Sequence, residues 1–365
     1  MPLDLPSKRE EHWRWSELSA LPALAEAAPT GAVPDDLPWI ATERPGARLL
    51  FVDGAFVPER SDPGEVKVSA ARYKPGNNAL ADLACAEAKA GYVIALGPDG
   101  ASDGLVQIVH VSTGGAAHQS NRIVLEAGAQ ASVVETHVGS GWSNATAIFE
   151  LNKGARLMRA LRVLKQGGAH TDFAFVTVGE GASYDGIALV TGADSARVEH
   201  ELILTGEGAY AEVGGALLAR GAERLEGVTV LRHAMPEGTS RQVWRSVADD
   251  RSACSVAARV EVDRGAQKTD GEQSLKGLLL DRAAQINAKP ELEIFADDVK
   301  CAHGATVGEL DRQALFYLES RGVTPDEAKS LLTRAFVADA LDRIGEADVR
   351  AACYADVDAW FGGRS

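Results

Sequence analysis

The chain has 365 residues, a formal net charge of −15 and a pI near 5.0. With 52 acidic against 37 basic side chains, it lacks the clustered Lys and Arg that binding a nucleic-acid backbone requires. Apolar residues at 45% exclude a disordered chain, and the length predicts roughly two domains with room for a large core.

The first 60 residues carry eight of the 14 prolines, which permits only a short helix at "LSALPALAEAA" (18–28). This stretch reads as an arm or cap. Its start, "MPLDLPSKREEHWRW", has no basic-then-apolar leader layout, and no apolar run approaches membrane-spanning length, so a cytoplasmic protein without membrane contact is expected. "NNALADLACAEAKAG" (77–91) predicts a short amphipathic helix, with an Asn as N-cap, Leu80, Leu83, Ala84 and Ala88 apolar, and Gly91 as the stop. Cys85 falls inside it and is expected to pack. Residues 1–91 are thus read as an irregular and helical N-terminal segment.

From Tyr92 to residue 308 the text becomes short β-type runs parted by glycine, such as "GYVIALG", "LVQIVHV", "TDFAFVTVG" and "YDGIALVTG". Gly-Ala pairs recur at 128–129, 154–155, 181–182 and 208–209, at intervals of 26, 27 and 27. A constant interval marks one supersecondary unit stacked on the next, with glycine at a positive-φ corner and alanine packed beneath it. A β-sandwich has no such super-period, so a β-helix or related solenoid is predicted. "GEGASYDG" and "GEGAYAEVGG" belong to these corners and are not nucleotide loops.

Residues 309–365 are read as a small helical domain. "GELDRQALFYLESRG" places Leu310, Ala314, Tyr317 and Leu318 on one face. The next helix opens with a capping box, Thr324 and Glu327 around Pro325, and carries the stripe Ala328, Leu331, Leu332, Ala335, Phe336 and Ile344 before Gly345. A third helix, 346–361, carries Val349, Ala352, Cys353, Val357 and Trp360. So small a domain is expected to pack on the end of the solenoid or on another chain.

Catalytic and nucleotide motifs are sparse. There is no P-loop, no G-x-S-x-G and no H-E-x-x-H, and the four cysteines form no C-x-x-C pair. His137, His170 and His200 fall in successive coils and are read as satisfied or solvent-facing. "KPELEIFADDVKCAHGATVG" (289–308) differs, because Cys301 and His303 stand at i and i+2 and share one face of a strand. Together they suit iron or zinc, but two ligands do not close a site, so a second chain completes it or the two residues simply pack.

The stretch "KPELEIFADDVKCAHGATVGELDRQALFYLESRG" resembles the C-terminal signature of the SufB/SufD family, scaffold proteins of SUF iron–sulfur cluster assembly. "GAQKTDGEQSLKGLLL" (265–280) and "HAMPEGTSRQVWRSVADDRSACSVAARVEV" (233–262) are similar to the same family, and the tail "LLTRAFVADALDRI" is similar to its SufD branch. The resemblance implies a right-handed β-helix core (92–308) followed by the helical domain (309–365). It further implies a non-catalytic subunit that pairs with SufB through the C-terminal strands, with the SufC ATPase docking on the helical domain. Cys301 and His303 correspond to the family's Cys-x-His pair at the interface where iron enters. Phe316, Tyr317, Arg321, Leu332 and Phe336 are the candidate SufC contacts. No tightly bound cofactor is implied, only transient iron or an iron–sulfur cluster shared with SufB, and reduced flavin in the complex. A homodimer of the isolated chain, a SufB-like homodimeric scaffold and a stand-alone β-helix carbohydrate enzyme are the alternatives.

Overall fold

The computed structural model describes residues 3–362 apart from 74, 76 and 77, so Pro2 and Asn77 lie outside the described residues. Two parallel sheets face each other, and the chain alternates between them once per half coil. The first sheet runs from Pro45–Val52 through Ala101–Ser112, Gln130–Gly139, Arg156–Lys165, Ser183–Thr191, Tyr210–Ala219, Thr239–Ala248 and Asp270–Leu279 to Lys300–Glu309. The second runs from Tyr92–Leu96 through Ala116–Leu125, Trp142–Leu151, Ala169–Val178, Ser195–Leu204, Arg224–His233 and Ala253–Val262 to Gln285–Ile294. The predicted mainly β solenoid is therefore the fold.

The repeat has a direct structural cause. Gly128, Gly154, Gly181 and Gly208 all take positive φ, and the alanines that follow them are fully buried. Each corner glycine donates its N–H to the next coil, as Gly154 does to the Glu180 carbonyl at 2.8 Å and Gly181 to that of Glu207 at 2.9 Å. Register partners 130, 156, 183 and 210 are 26, 27 and 27 residues apart, whereas 210, 239, 270 and 300 are 29, 31 and 30 apart. In the longer coils the positive-φ corners are Glu237 and Lys268, which carry on the same hydrogen-bonded ladder without glycine.

Inward-facing positions such as Val133, Phe149, Leu157, Val176, Leu202 and Val213 fill the space between the sheets. The outer faces are apolar too, because both are covered. On the first sheet, α4 (Pro325–Leu341) and α5 (Ala347–Gly362) bury Val337, Leu341, Val357 and Trp360 against strand residues that include Leu189, Leu218 and Val247. Arg162 pairs with Asp356 at 2.8 Å, and Arg245 and Arg343 reach Asp339 and Glu212. The helical domain thus lies along the flank of the solenoid rather than on its end. The flank's apolar rows offer far more area than an edge does.

On the second sheet, α1 (Leu21–Glu26), α2 (Ala79–Glu87) and the preceding chain pack Trp13, Leu21 and Leu80 on Trp142 and Ala169. Arg197 stacks over Trp13 at 4.1 Å. Asn78 caps α2, accepting from the Ala81 N–H, and donates to Glu199 at 2.9 Å. Cys85 is buried, as expected. The sheets begin before residue 92: Pro45–Val52 already pairs in parallel with Ala101–Ser112, its Leu49 and Phe51 completing the first interior layer.

Candidate functional site

Gln285–Ile294 and Lys300–Glu309 are the last strands of their sheets, so each pairs on one side only. The final coil leaves its outer edge open, with Lys300–Glu309 exposed along nearly its whole length. Cys301 and His303 are register partners of Gly271 and Gln273. The Cys301 side chain turns inward to pack with the Val260, Val262 and Ala266 cluster, its sulfur lying beside Gly271. Strand alternation puts His303 on the same face, where it is exposed.

The two side chains differ in environment. Burial pushes the half-buried Cys301 thiol up, with the Gly271 backbone partly offsetting it, so the free protein carries a thiol that yields its proton on meeting a metal. His303 offers an exposed imidazole. Around them the rim is apolar: Phe295 is 59% exposed, and Ile294 and Val307 are also exposed.

A second exposed patch lies on the helical domain. α3 (Arg312–Ser320) fully buries none of its residues. Phe316 is 73% exposed, and Arg321 stacks on the exposed Tyr317 at 5.0 Å. The Thr324 capping box of α4 is present, and of the predicted stripe Ala328 and Ile344 are buried, together with Val337, Ala340 and Leu341, whereas Leu331 and Ala335 face out. Leu332 and Phe336 are half-buried, Phe336 packing at the rim of the helix–sheet core.

The histidines hold a correction. His137, His170 and His200 do not face solvent but project between the sheets, together with His110, Glu135, Arg159 and Asp172. The signal was available, since His110 and His137 are one coil length apart and are register partners.

The fold and this end together define a class: a two-sheet β-solenoid scaffold whose terminal coil presents a thiol and an imidazole beside free strand edges. Residues 108–336 match the family model "SUF system FeS cluster assembly, SufBD core domain". The chain belongs to the SufB/SufD family of SUF-system iron–sulfur cluster assembly proteins, and its similarity runs to the SufD branch. It is 28% identical to the iron–sulfur cluster assembly protein SufD of Escherichia coli, over 92% of this chain and 84% of that protein. An iron–sulfur cluster assembly SufBD family protein of Synechocystis is 25% identical over 94% of this chain and 84% of its own length. The SufD of Plasmodium falciparum is 27% identical over 49% of this chain and 12% of its own length. No helix among the described residues is long and apolar enough to cross a membrane.

Proposed function

We propose that this chain is the SufD-like half of a SufBCD-type scaffold. It pairs with a SufB-type sister through Gln285–Ile294 and Lys300–Glu309, and builds with it the site where iron enters and the nascent cluster forms. The reading rests on one observation: the Cys-x-His pair stands on the last coil, whose two strands each pair on one side only. A partner strand added there satisfies backbone groups and brings further ligands to the two that this chain supplies. Iron is cargo in this scheme. His303 offers its imidazole to ferrous iron, and Cys301, protonated until metal arrives, joins as thiolate.

The exposed α3 surface, Phe316, Tyr317 and Arg321 with Leu332 and Phe336 at its border, is where the SufC ATPase docks in this reading. Nucleotide-driven movement of SufC would then be transmitted through α4 and its ion pairs to the first sheet. The carbohydrate-enzyme alternative needs two disengaged carboxyls on an open face. The groove of about 470 Å³ on the first sheet holds Asp185, but Glu212 beside it is engaged by Arg343 and by the Tyr210 hydroxyl.

The test is His303→Ala in the reconstituted complex. Because the ring is exposed and makes no hydrogen bond among the described residues, stability should change by less than about 0.5 kcal/mol. Pairing should persist, and cluster formation, followed by visible absorbance, should fall at least tenfold. Wild-type cluster yield from His303→Ala removes the imidazole from the scheme.

A further inference from the structure

Polar side chains interrupt the apolar interior of the N-terminal coils. His110 and His137 are register partners on adjacent strands, their rings stacked with centroids 4.3 Å apart and planes 16° apart. Glu135 stands two residues before His137, on the same face. The three are 4%, 1% and 0% exposed. No hydrogen-bond partner reaches either nitrogen of His110 or His137, nor Glu135 Oε2. The 3.7 Å between His110 Nε2 and Glu135 Oε2 is too long to be a hydrogen bond. Buried polar atoms are almost always partnered, so five in one place call for a ligand.

The surroundings fit a cation. One donor atom from each of His110, Glu135 and His137 lies within 4.8 Å of the others. Glu135 Oε1 accepts from the Tyr92 hydroxyl at 2.9 Å and from Arg159 Nε at 2.6 Å, which fixes the carboxylate and leaves Oε2 as the donor. Arg159 is in turn held by both oxygens of Asp172, at 3.2 and 3.0 Å. Two carboxyl groups thus face one guanidinium, with the His110 ring 3.7 Å from the free oxygen of Glu135. His170, on the facing sheet, packs on His137 with centroids 4.6 Å apart. Its Nδ1 shares a hydrogen bond with Ser143, and its Nε2 has no partner. His110 and His137, though not Glu135, border a crevice of about 10 Å³ that is also lined by Gly54 of the first hairpin.

We propose that His110, Glu135 and His137 form a buried site for a divalent first-row transition-metal ion, distinct from the Cys301/His303 end. Two imidazoles and a carboxylate are the donor set of zinc and ferrous sites. A metal lies in the plane of each imidazole that binds it, so loading requires the stacked His110 and His137 rings to turn out of their stack as the donors close to bond lengths of about 2.1 Å. The site is six strand steps from Lys300–Glu309, about 29 Å at roughly 4.8 Å per step. It therefore pins the first coils together and takes no part in cluster chemistry.

The experiment uses full-length protein carrying Cys301→Ser and His303→Ala, which keeps the proposed assembly site from contributing. The protein is stripped with chelator, refolded with Co²⁺ and gel-filtered. One cobalt per chain with ligand-field absorbance is expected, together with a Tm rise of roughly 5 °C at 100-fold the Kd. Adding His137→Phe keeps the aromatic stack and should keep the metal-free Tm, but should abolish cobalt retention and the Tm rise. His110→Phe, stacked between Phe51 and His137, serves the same purpose if His137→Phe does not refold. Absence of cobalt from the double variant, or equal cobalt in the phenylalanine variants, overturns the site.

Discussion

His233 is fully buried, its Nε2 sharing a hydrogen bond with Ser240 at 2.8 Å, and burial pushes it down to about 4. The unfolded chain binds a proton at this residue below about pH 6.5 while the folded chain does not until about pH 4, so the stability it contributes is complete above 6.5 and lost progressively down to 4. Asp185 and Glu223, pushed up by burial to about 6 and about 7, act in the opposite direction over an overlapping range. A comparison with His233→Gln, which keeps a partner for Ser240, isolates the histidine. Between pH 7 and pH 4 the wild type should lose about 3 kcal/mol more than the variant in urea unfolding. Equal losses would mean that His233 is protonated in the fold. At this scale the sequence was legible where a spacing fixes a shared strand face, as it does for Cys301 and His303. It was not legible for the interior histidines, because lone His residues in strand text look like any polar alternation until the coil length aligns them.

Among the elements, α4 shows what local sequence can and cannot specify. Thr324, Pro325 and Glu327 announced its start, since a capping box is a purely local device. The buried face was not announced, because Leu331, Leu332 and Phe336 compete with Val337, Ala340 and Leu341 for one sheet, and the sheet's own relief decides. Of the displaced residues Leu331 is exposed, as Phe316 and Tyr317 are, while Leu332 and Phe336 stay half-buried. Phe316→Asp should therefore leave Tm within about 1 °C of wild type, an exposed site costing less than about 0.5 kcal/mol, while reducing SufC co-purification at least tenfold. Undiminished capture would move the docking surface elsewhere. The strands follow the same rule: glycine corners made the first coils legible, and the count faded after residue 210, where Glu237 and Lys268 take the left-handed conformation instead.

At the scale of the whole molecule the two ends differ. The first coil is closed by the hairpin strand Ala55–Phe56 and by Lys67–Val68, whose Phe56, Val66 and Val68 cover the interior, while the last coil ends in two strand edges rimmed by Phe295 and Val307. Phe295→Glu combined with Val307→Lys places charge on that rim. The double change should block pairing with the SufB-type partner in gel filtration while far-UV circular dichroism stays unchanged; an intact pair would place the partner on another surface. A stack plugged at one terminus and free at the other also has a built-in stop. Once the free terminus is covered by another stack that is likewise plugged at its far side, no growing point remains, so the particle closes at two units and cannot lengthen into a fibre.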